Sequence, residues 1–261
     1  MWHDDAMRLI FDRDGENPRV VGTPDLVELY RHPVREDRPW LRSNFVSSLD
    51  GSVQGPDGRS GSINTPSDHE VFALHRALAD AIVVGASTVR NEGYRAVDLA
   101  PWQRELRLAE GLAPFPTLVI ISKSARIDPV IATTDPGEAG AVMVITTSGK
   151  GEEELGPLRT AGIEVVDTHT PDVDLAAVLD DLAGRGLPRM LCEGGPRLHR
   201  DLLAAGLVDE MSITLAPVVV GGEGLRSTTG DGFGDSIAFE LRFALLGDDG
   251  ALFTSYRRRL S

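Results

Sequence analysis

Ala81-Ile82-Val83-Val84-Gly85-Ala86-Ser87-Thr88-Val89-Arg90 reads as a strand without a polar face that breaks at a glycine and continues as a helix. Such a strand belongs inside a parallel sheet covered by helices on both sides. Arg189-Met190-Leu191-Cys192, followed by Glu193-Gly194-Gly195-Pro196 and a helical stretch Arg197–Ala205, has the same build. Glycine lets backbone approach a phosphate closely, and the N–H groups of a starting helix point at it. Two such turns side by side in a parallel sheet would hold the pyrophosphate of a dinucleotide. Neither is G-x-G-x-x-G, and either alone is equally a tight strand-to-helix connection.

Outward from these turns the alternation continues. Trp40–Val46, Thr117–Ile121, Val142–Ile145 and Ile163–Val166 are further strand candidates. Thr65 can cap a helix with Pro66 at its first position and Val71, Leu74 and Leu78 on one face, and Asp174 can cap another that ends at Gly184 or Gly186. Beyond Gly206 the pattern changes to period two, with Met211, Ile213 and Leu215 opposite Ser212 and Thr214. Phe239–Leu246 and Ala251–Arg258 then flank Asp249-Gly250 as a hairpin. The expected fold is three-layer α/β/α on a mixed, mostly parallel sheet with an antiparallel C-terminal hairpin. Residues 1–39, punctuated by Pro18, Pro24, Pro33 and Pro39, read as an N-terminal extension in which only Thr23–Tyr30 looks helical, with Pro at the first helical position, and 40–261 as a single domain.

The 261 residues leave no room for a third domain of roughly 100–200 residues. A net charge of −14 repels polyphosphate, which argues against a nucleic-acid or anionic-membrane partner and requires any anionic ligand to be held locally. Cys192, the single cysteine, cannot form an internal disulfide or supply a multi-Cys zinc site, so no metal is expected, and this fits a reducing cytoplasm. The acidic start Met1–Asp5 is unlike a signal peptide, and no run approaches the ~20 apolar residues of a membrane span.

Asn44–Gly51, Val84–Arg90, Leu191–Leu198, Leu207–Glu210 and Ala216–Gly222 together resemble the reductase domain of bacterial riboflavin biosynthesis, which has a dihydrofolate-reductase-like fold. The resemblance spans about residues 40–261 and does not include the zinc deaminase half of the bifunctional enzymes. It implies bound NADPH, with Ser47, Ser62 and Thr88 at cofactor-contact positions and Gly85, Ser87, Val89, Arg90, Gly194, Gly195, Pro196, Arg197 and Leu198 along the phosphates and nicotinamide. Ser122 matches a position near the adenosine ribose, with Lys123 or Arg126 toward a 2′-phosphate. Ser60, Arg76, Glu92 and Glu193 match positions around the pyrimidine and ribose phosphate. The family reaction is hydride addition to C1′ of an opened ribosylamino group, as in 5-amino-6-(5-phosphoribosylamino)uracil reductase. The family's Asp-Asp-Pro is replaced by Glu92-Gly93-Tyr94-Arg95-Ala96-Val97, which leaves Arg95 as the stand-in for a phosphate-binding arginine, and Ser62 replaces a usual Trp.

Physical chemistry adds Asp68, a carboxylate at a helix start that would accept two hydrogen bonds from the amino edge of a diaminopyrimidine or pterin, or else complete the Thr65 cap. Asp68 and Glu193 are the catalytic candidates, Glu193 because it ends a parallel strand. Arg76 is a ligand or a solvated helix residue. His75 reads as core, His69 and His199 as surface or capping groups, and Cys192 as packing. Reduction of dihydrofolate or another pterin and a non-catalytic NADPH-binding role are the alternative functions. A homodimer is expected, paired through a sheet edge or face provided by strand 211–220 and the hairpin 239–258.

Overall fold

The computed structural model describes residues 7–15, 18–33, 38–132 and 138–259, so the Met1–Asp5 reading lies outside the described residues. In chain order the strands are β1 (Met7–Asp12), β2 (Arg19–Val21), β3 (Trp40–Ser47), β4 (Ala81–Gly85), β5 (Thr117–Ile121), β6 (Val142–Thr146), β7 (Glu164–Asp167), β8 (Arg189–Cys192), β9 (Glu210–Leu215), β10 (Phe239–Leu246) and β11 (Leu252–Arg258). The helices are α1 (Thr23–Tyr30), α2 (Pro66–Leu78), α3 (Ala86–Glu92), α4 (Pro101–Ala109), α5 (Glu152–Thr160), α6 (Leu175–Gly184) and α7 (Pro196–Ala204). All strands join one sheet in the order β2-β1-β10-β11-β9-β3-β8-β4-β5-β6-β7. From β9 to β7 every pairing is parallel, and from β9 to β2 every pairing is antiparallel.

The unbroken apolar runs arise because each central strand feeds two cores. Ile82, Val84, Leu118, Ile120, Val142 and Val144 pack with Leu155 and Leu158 of α5, while Val83, Val119, Met143 and Ile145 pack on the other face with Val178 and Leu182 of α6 and Leu202 of α7. This gives the three layers expected. Under the antiparallel half a third cluster joins Leu9, Phe243, Leu245 and Phe253 to α1 and α2.

Parts of the expected extension belong to the fold, β1 and β2 within the sheet and α1 packed against it. β1 pairs with β10, β2 pairs with β1, and Tyr30 of α1 is fully buried. A three-residue β2 is too short to carry a periodic signal, whereas α1 forms over Thr23–Tyr30 with Pro24 in its first turn, as the sequence reads. The pairing corrects the expected edge: β1 covers the hairpin, so β2 and β7 are the outermost strands. Strand 211–220 also stops at Leu215, since Pro217 has no N–H to offer a ladder.

A charged cluster sits inside the antiparallel half. Arg42 of β3 and Glu210 of β9, register partners, are both 0% exposed, and Arg42 Nη2 donates to Glu210 Oε2 at 3.1 Å. Ser255 Oγ of β11 donates to Glu210 Oε1 (2.6 Å), Arg242 Nη1 of β10 approaches it at 3.5 Å, and Arg42 Nη1 donates to the Tyr30 carbonyl of α1 (2.7 Å). His75 of α2 stacks edge-on to Tyr30 and shares a hydrogen bond with Ser212 at 3.0 Å, as a core histidine. Burial alone would raise the Glu210 pKa, but Arg42, Arg242 and Ser255 outweigh it and bring it down to about 2.

A depressed folded pKa means that Glu210 stabilises the fold above its unfolded pKa and loses that contribution as pH falls toward about 2. Glu210→Gln is expected to cost about 3–5 kcal/mol at pH 7, because it strands Arg42 unpaired. It should also flatten the fall in melting temperature between about pH 4.5 and 2, read by thermal melts across that range. A variant that melts like the parent at both ends would contradict this account.

Candidate active site

The carboxyl ends of β3, β8, β4 and β5 lie next to one another and carry Ser47, Glu193-Gly194-Gly195, Gly85-Ala86-Ser87-Thr88 and Ser122-Lys123 in that order. Three inter-strand spacings put about 15 Å between the first and last. The two glycine turns touch directly, Gly85 N–H donating to Gly194 O at 2.9 Å. An added Cβ at Gly195 would stand 2.4 Å from Thr88 Oγ1, and one at Gly194, whose φ is +92°, 3.3 Å from the Phe45 ring. Ser122 Oγ, just past β5, is buried and has no hydrogen-bond partner among the described residues. A glycine-only cradle at a helix start, flanked by hydroxyls, fits a phosphate-bearing dinucleotide laid across the strand ends.

The other cofactor candidates divide. Val89 and Leu198 are buried in the two sheet cores, so their side chains pack the fold. Arg90 and Arg197 are exposed, Arg90 donating to the Arg126 carbonyl. Lys123 is exposed and ion-paired with Asp172. Ser62 is exposed, its hydroxyl donating to Asp57 Oδ1 at 2.6 Å, and Ser47 donates to the Ser48 carbonyl.

Beside the glycine turns a cavity of about 470 Å³ opens, within the ordinary range for small-molecule sites. Ser60, Asp68, Arg76, Glu92, Arg95 and Glu193 all line it, together with Ser87, Thr88, Gly195 and Pro196. The sequence reading thus brought the substrate candidates to one place. Glu92 Oε1 accepts from Ser60 N–H (3.1 Å) and thereby ties α3 to the 55–62 loop. Arg95 lies exposed at the rim, one guanidinium nitrogen on the Tyr94 carbonyl.

At the centre Arg76 and Glu193 are joined to each other and to Tyr94, a pairing that the sequence did not reveal. Arg76 of α2 grips Glu193 through two hydrogen bonds, Nε to Oε1 at 2.8 Å and Nη2 to Oε2 at 2.7 Å, and Tyr94 Oη donates to the same Oε2 at 2.6 Å. The Arg76 guanidinium also lies 4.4 Å over the Phe72 ring and 5.5 Å from that of Tyr94. Burial and the neighbouring Glu193 charge push the Tyr94 phenol far above its usual pKa, so it remains a donor. Arg76 is therefore neither a solvated residue nor a free cation, and Glu193 is an anchored carboxylate with three donors on its two oxygens. Tyr94 escaped the sequence reading because it stands in a loop, where periodicity says nothing.

Two histidine expectations end differently. His199 is fully buried, its ring 4.6 Å from Phe45 and its Nδ1 on the Ser227 carbonyl at 2.9 Å, which corrects the surface reading. Burial drives its pKa down to about 4. His69 is exposed. Cys192 is buried, which raises its thiol to about 12 and leaves it inert.

Comparison with known proteins places this geometry. The RibD C-terminal domain model matches residues 39–249. A 2,5-diamino-6-ribosylamino-4(3H)-pyrimidinone 5′-phosphate reductase of Methanothermobacter thermautotrophicus is 34% identical over 222 residues, covering 81% of this chain and 95% of its own. The reductase of the same name from Archaeoglobus fulgidus is 29% identical over 71% of this chain and 83% of its own. A pyrimidine reductase-like protein of Corynebacterium diphtheriae, solved by crystallography, superposes with a TM-score of 0.75 at 29% identity, over 85% of this chain and 93% of that one. With the glycine turns, the strand order and these likenesses in agreement, the chain belongs to the RibD C-terminal domain family.

Proposed function

We propose that the protein is an NADPH-dependent reductase of a ribosylamino-pyrimidine phosphate. The observation that carries this reading is the adjacency of the glycine cradle and the cavity: Ser87, Thr88, Gly195 and Pro196 belong to both. A hydride donor seated on the cradle would face an acceptor in the cavity without further movement. NADPH supplies the hydride, and the product is the ribitylamino pyrimidine. In balance, C1′ of the opened ribosylamine, held as C=N, gains the hydride and the nitrogen gains a proton from water or the substrate's own hydroxyls.

The chain's part is orientation and charge. Glu193, itself held by Tyr94, grips Arg76 by Nε and Nη2, so that its Nη1 is the terminus left to meet an oxygen of the substrate. Glu193 serves as the anchor of Arg76 rather than as an acid, since both its oxygens already accept. Arg95, at the rim, would meet the phosphate. Ser122 and Lys123 at the β5 end would take the adenosine end of the cofactor.

A homodimer is part of the same proposal. Met211, Ile213 and Leu215 of β9 share a face with Leu252 and Tyr256 of β11 and Leu241 and Leu246 of β10. These side chains are half-buried or exposed, and the helices α1 and α2 lie against the opposite face. An apolar face of this kind suits a second copy.

Gly195→Ala should raise the NADPH dissociation constant at least tenfold, about 1.4 kcal/mol, by forcing Thr88 out of the cradle while the melting temperature holds. Calorimetry showing parental affinity would remove the site. Tyr94→Phe should lower kcat/KM for the pyrimidine by about 10- to 100-fold, the worth of a hydrogen bond to a charged group, and leave NADPH affinity alone. Stopped NADPH oxidation on every ribosylamino-pyrimidine, with turnover of dihydrofolate instead, would overturn the reading. Sedimentation at micromolar concentration should give about twice the 28.1 kDa of one chain.

A further inference from the structure

A second cavity, of about 380 Å³, shares no lining residue with the active site. α7 joins the two. Gly195 precedes its first residue at the cradle, and Arg200, Leu203 and Ala204 of its second half line the far cavity. Phe233 and Ile237, from the segment between β9 and β10, and Arg258 at the end of β11 complete that lining. The segment is fastened along α7, with Thr229 N–H donating to the Pro196 carbonyl at 3.3 Å and Arg200 Nε to the Asp231 carbonyl at 3.0 Å. The cavity is therefore a built part of the fold.

Its donors are not all met. Among the described residues Arg258 Nη1 is buried without a hydrogen-bond partner. The guanidinium rests against Gly206, where an added Cβ would stand 3.1 Å from Nη1 and 3.3 Å from Nη2. That point lies just past the C-terminus of α7, where the helix dipole favours a cation, yet no acceptor takes the Nη1 protons. Arg200 spends Nε on the Asp231 carbonyl and Nη1 on Asp201 Oδ1 at 2.8 Å, and Nη2 takes no part in either bond. A buried donor on a charged group costs its hydration unless something accepts from it. The chain has 40 acidic residues against 26 Lys and Arg, and still none of the described carboxylates pairs with Arg258.

The remaining lining selects the ligand. Leu203, Phe233 and Ile237 are apolar and pack into the core beneath α7, so they suit an apolar body. Asp201 already neutralises Arg200, and the exposed Asp235 adds a negative charge to the lining. One further negative charge is balanced by Arg258, whereas a phosphate dianion would exceed it. A planar carboxylate also matches the guanidinium fork through both oxygens. We propose that this cavity is a binding site, separate from the active site, for a monocarboxylate with an aromatic or branched aliphatic body. The inference does not depend on the reductase reading.

Calorimetry of the whole chain with benzoate tests it. Saturable binding is expected, with benzyl alcohol, which keeps the ring without the charge, and phenyl phosphate, which carries more charge, each at least about tenfold weaker. Arg258→Gln should weaken benzoate binding by about 10- to 100-fold, the worth of a hydrogen bond between charged groups. Ala204→Phe, at an exposed position of α7, should fill the cavity and abolish binding while the melting temperature and NADPH affinity hold. No saturable binding of benzoate by the parent chain, parental affinity in either folded variant, or benzyl alcohol binding as tightly as benzoate would overturn the proposal. Competitive displacement of benzoate by NADPH would do the same, since it would put the benzoate in the active site.

Discussion

The buried pair Arg42–Glu210 is the constraint on which the rest of the molecule hangs. Its charges have no access to water, so each must be met by protein, and the groups that meet them come from β3, β9, β10, β11 and α1, with His75 of α2 in the same pocket. The register of β9 on β3 cannot slip without leaving a charge alone in the core. Because β9 and β3 form the seam between the antiparallel and parallel halves, that register also fixes where α2 crosses the sheet. Asp68 and Arg76 ride on α2, and the glycine turns ride on β8 and β4, so the seam sets the distance between substrate anchor and cofactor cradle.

The net charge of −14 would by itself repel a phosphorylated substrate and a dinucleotide alike. The site answers locally, by spending carboxylate on cation. Glu193 is neutralised by Arg76, Glu92 is taken up by backbone, and the cradle offers N–H groups in place of side-chain charge. What reaches the cavity is a set of directed donors with the buried Asp68 carboxylate among them. Specificity is thereby carried by the pattern of hydrogen bonds more than by the sign of the field.

Much of this was legible in the sequence. Ile82-Val83-Val84 and Leu118-Val119-Ile120 are apolar on both faces because both faces meet helices, and that alone distinguishes a parallel interior strand. The glycine turns and the substrate candidates Asp68, Arg76 and Glu193 were legible because residue type and place at a strand or helix end carry the chemistry. Arg42 was not: a charge inside Trp40–Ser47 looks like a solvent-facing position until its partner on β9, far along the chain, is known. Tyr94 and the burial of His199 share that origin, since each depends on a contact between elements distant in sequence. β1 failed for the opposite reason, as it is half exposed and its partner β10 supplies the order that its own residues lack.

The hydrogen bond from Ser67 N–H to Asp249 joins residues 182 positions apart. During synthesis at roughly 5–20 residues per second, the start of α2 leaves the ribosome on the order of 10–40 s before the hairpin turn that fastens it. The parallel half can assemble in that interval, while the substrate end of the cleft stays unfinished until the hairpin arrives. Premature binding by a nascent chain is thus limited by the order of manufacture, and a translational pause near the hairpin would lengthen the time in which α2 stands without its last support.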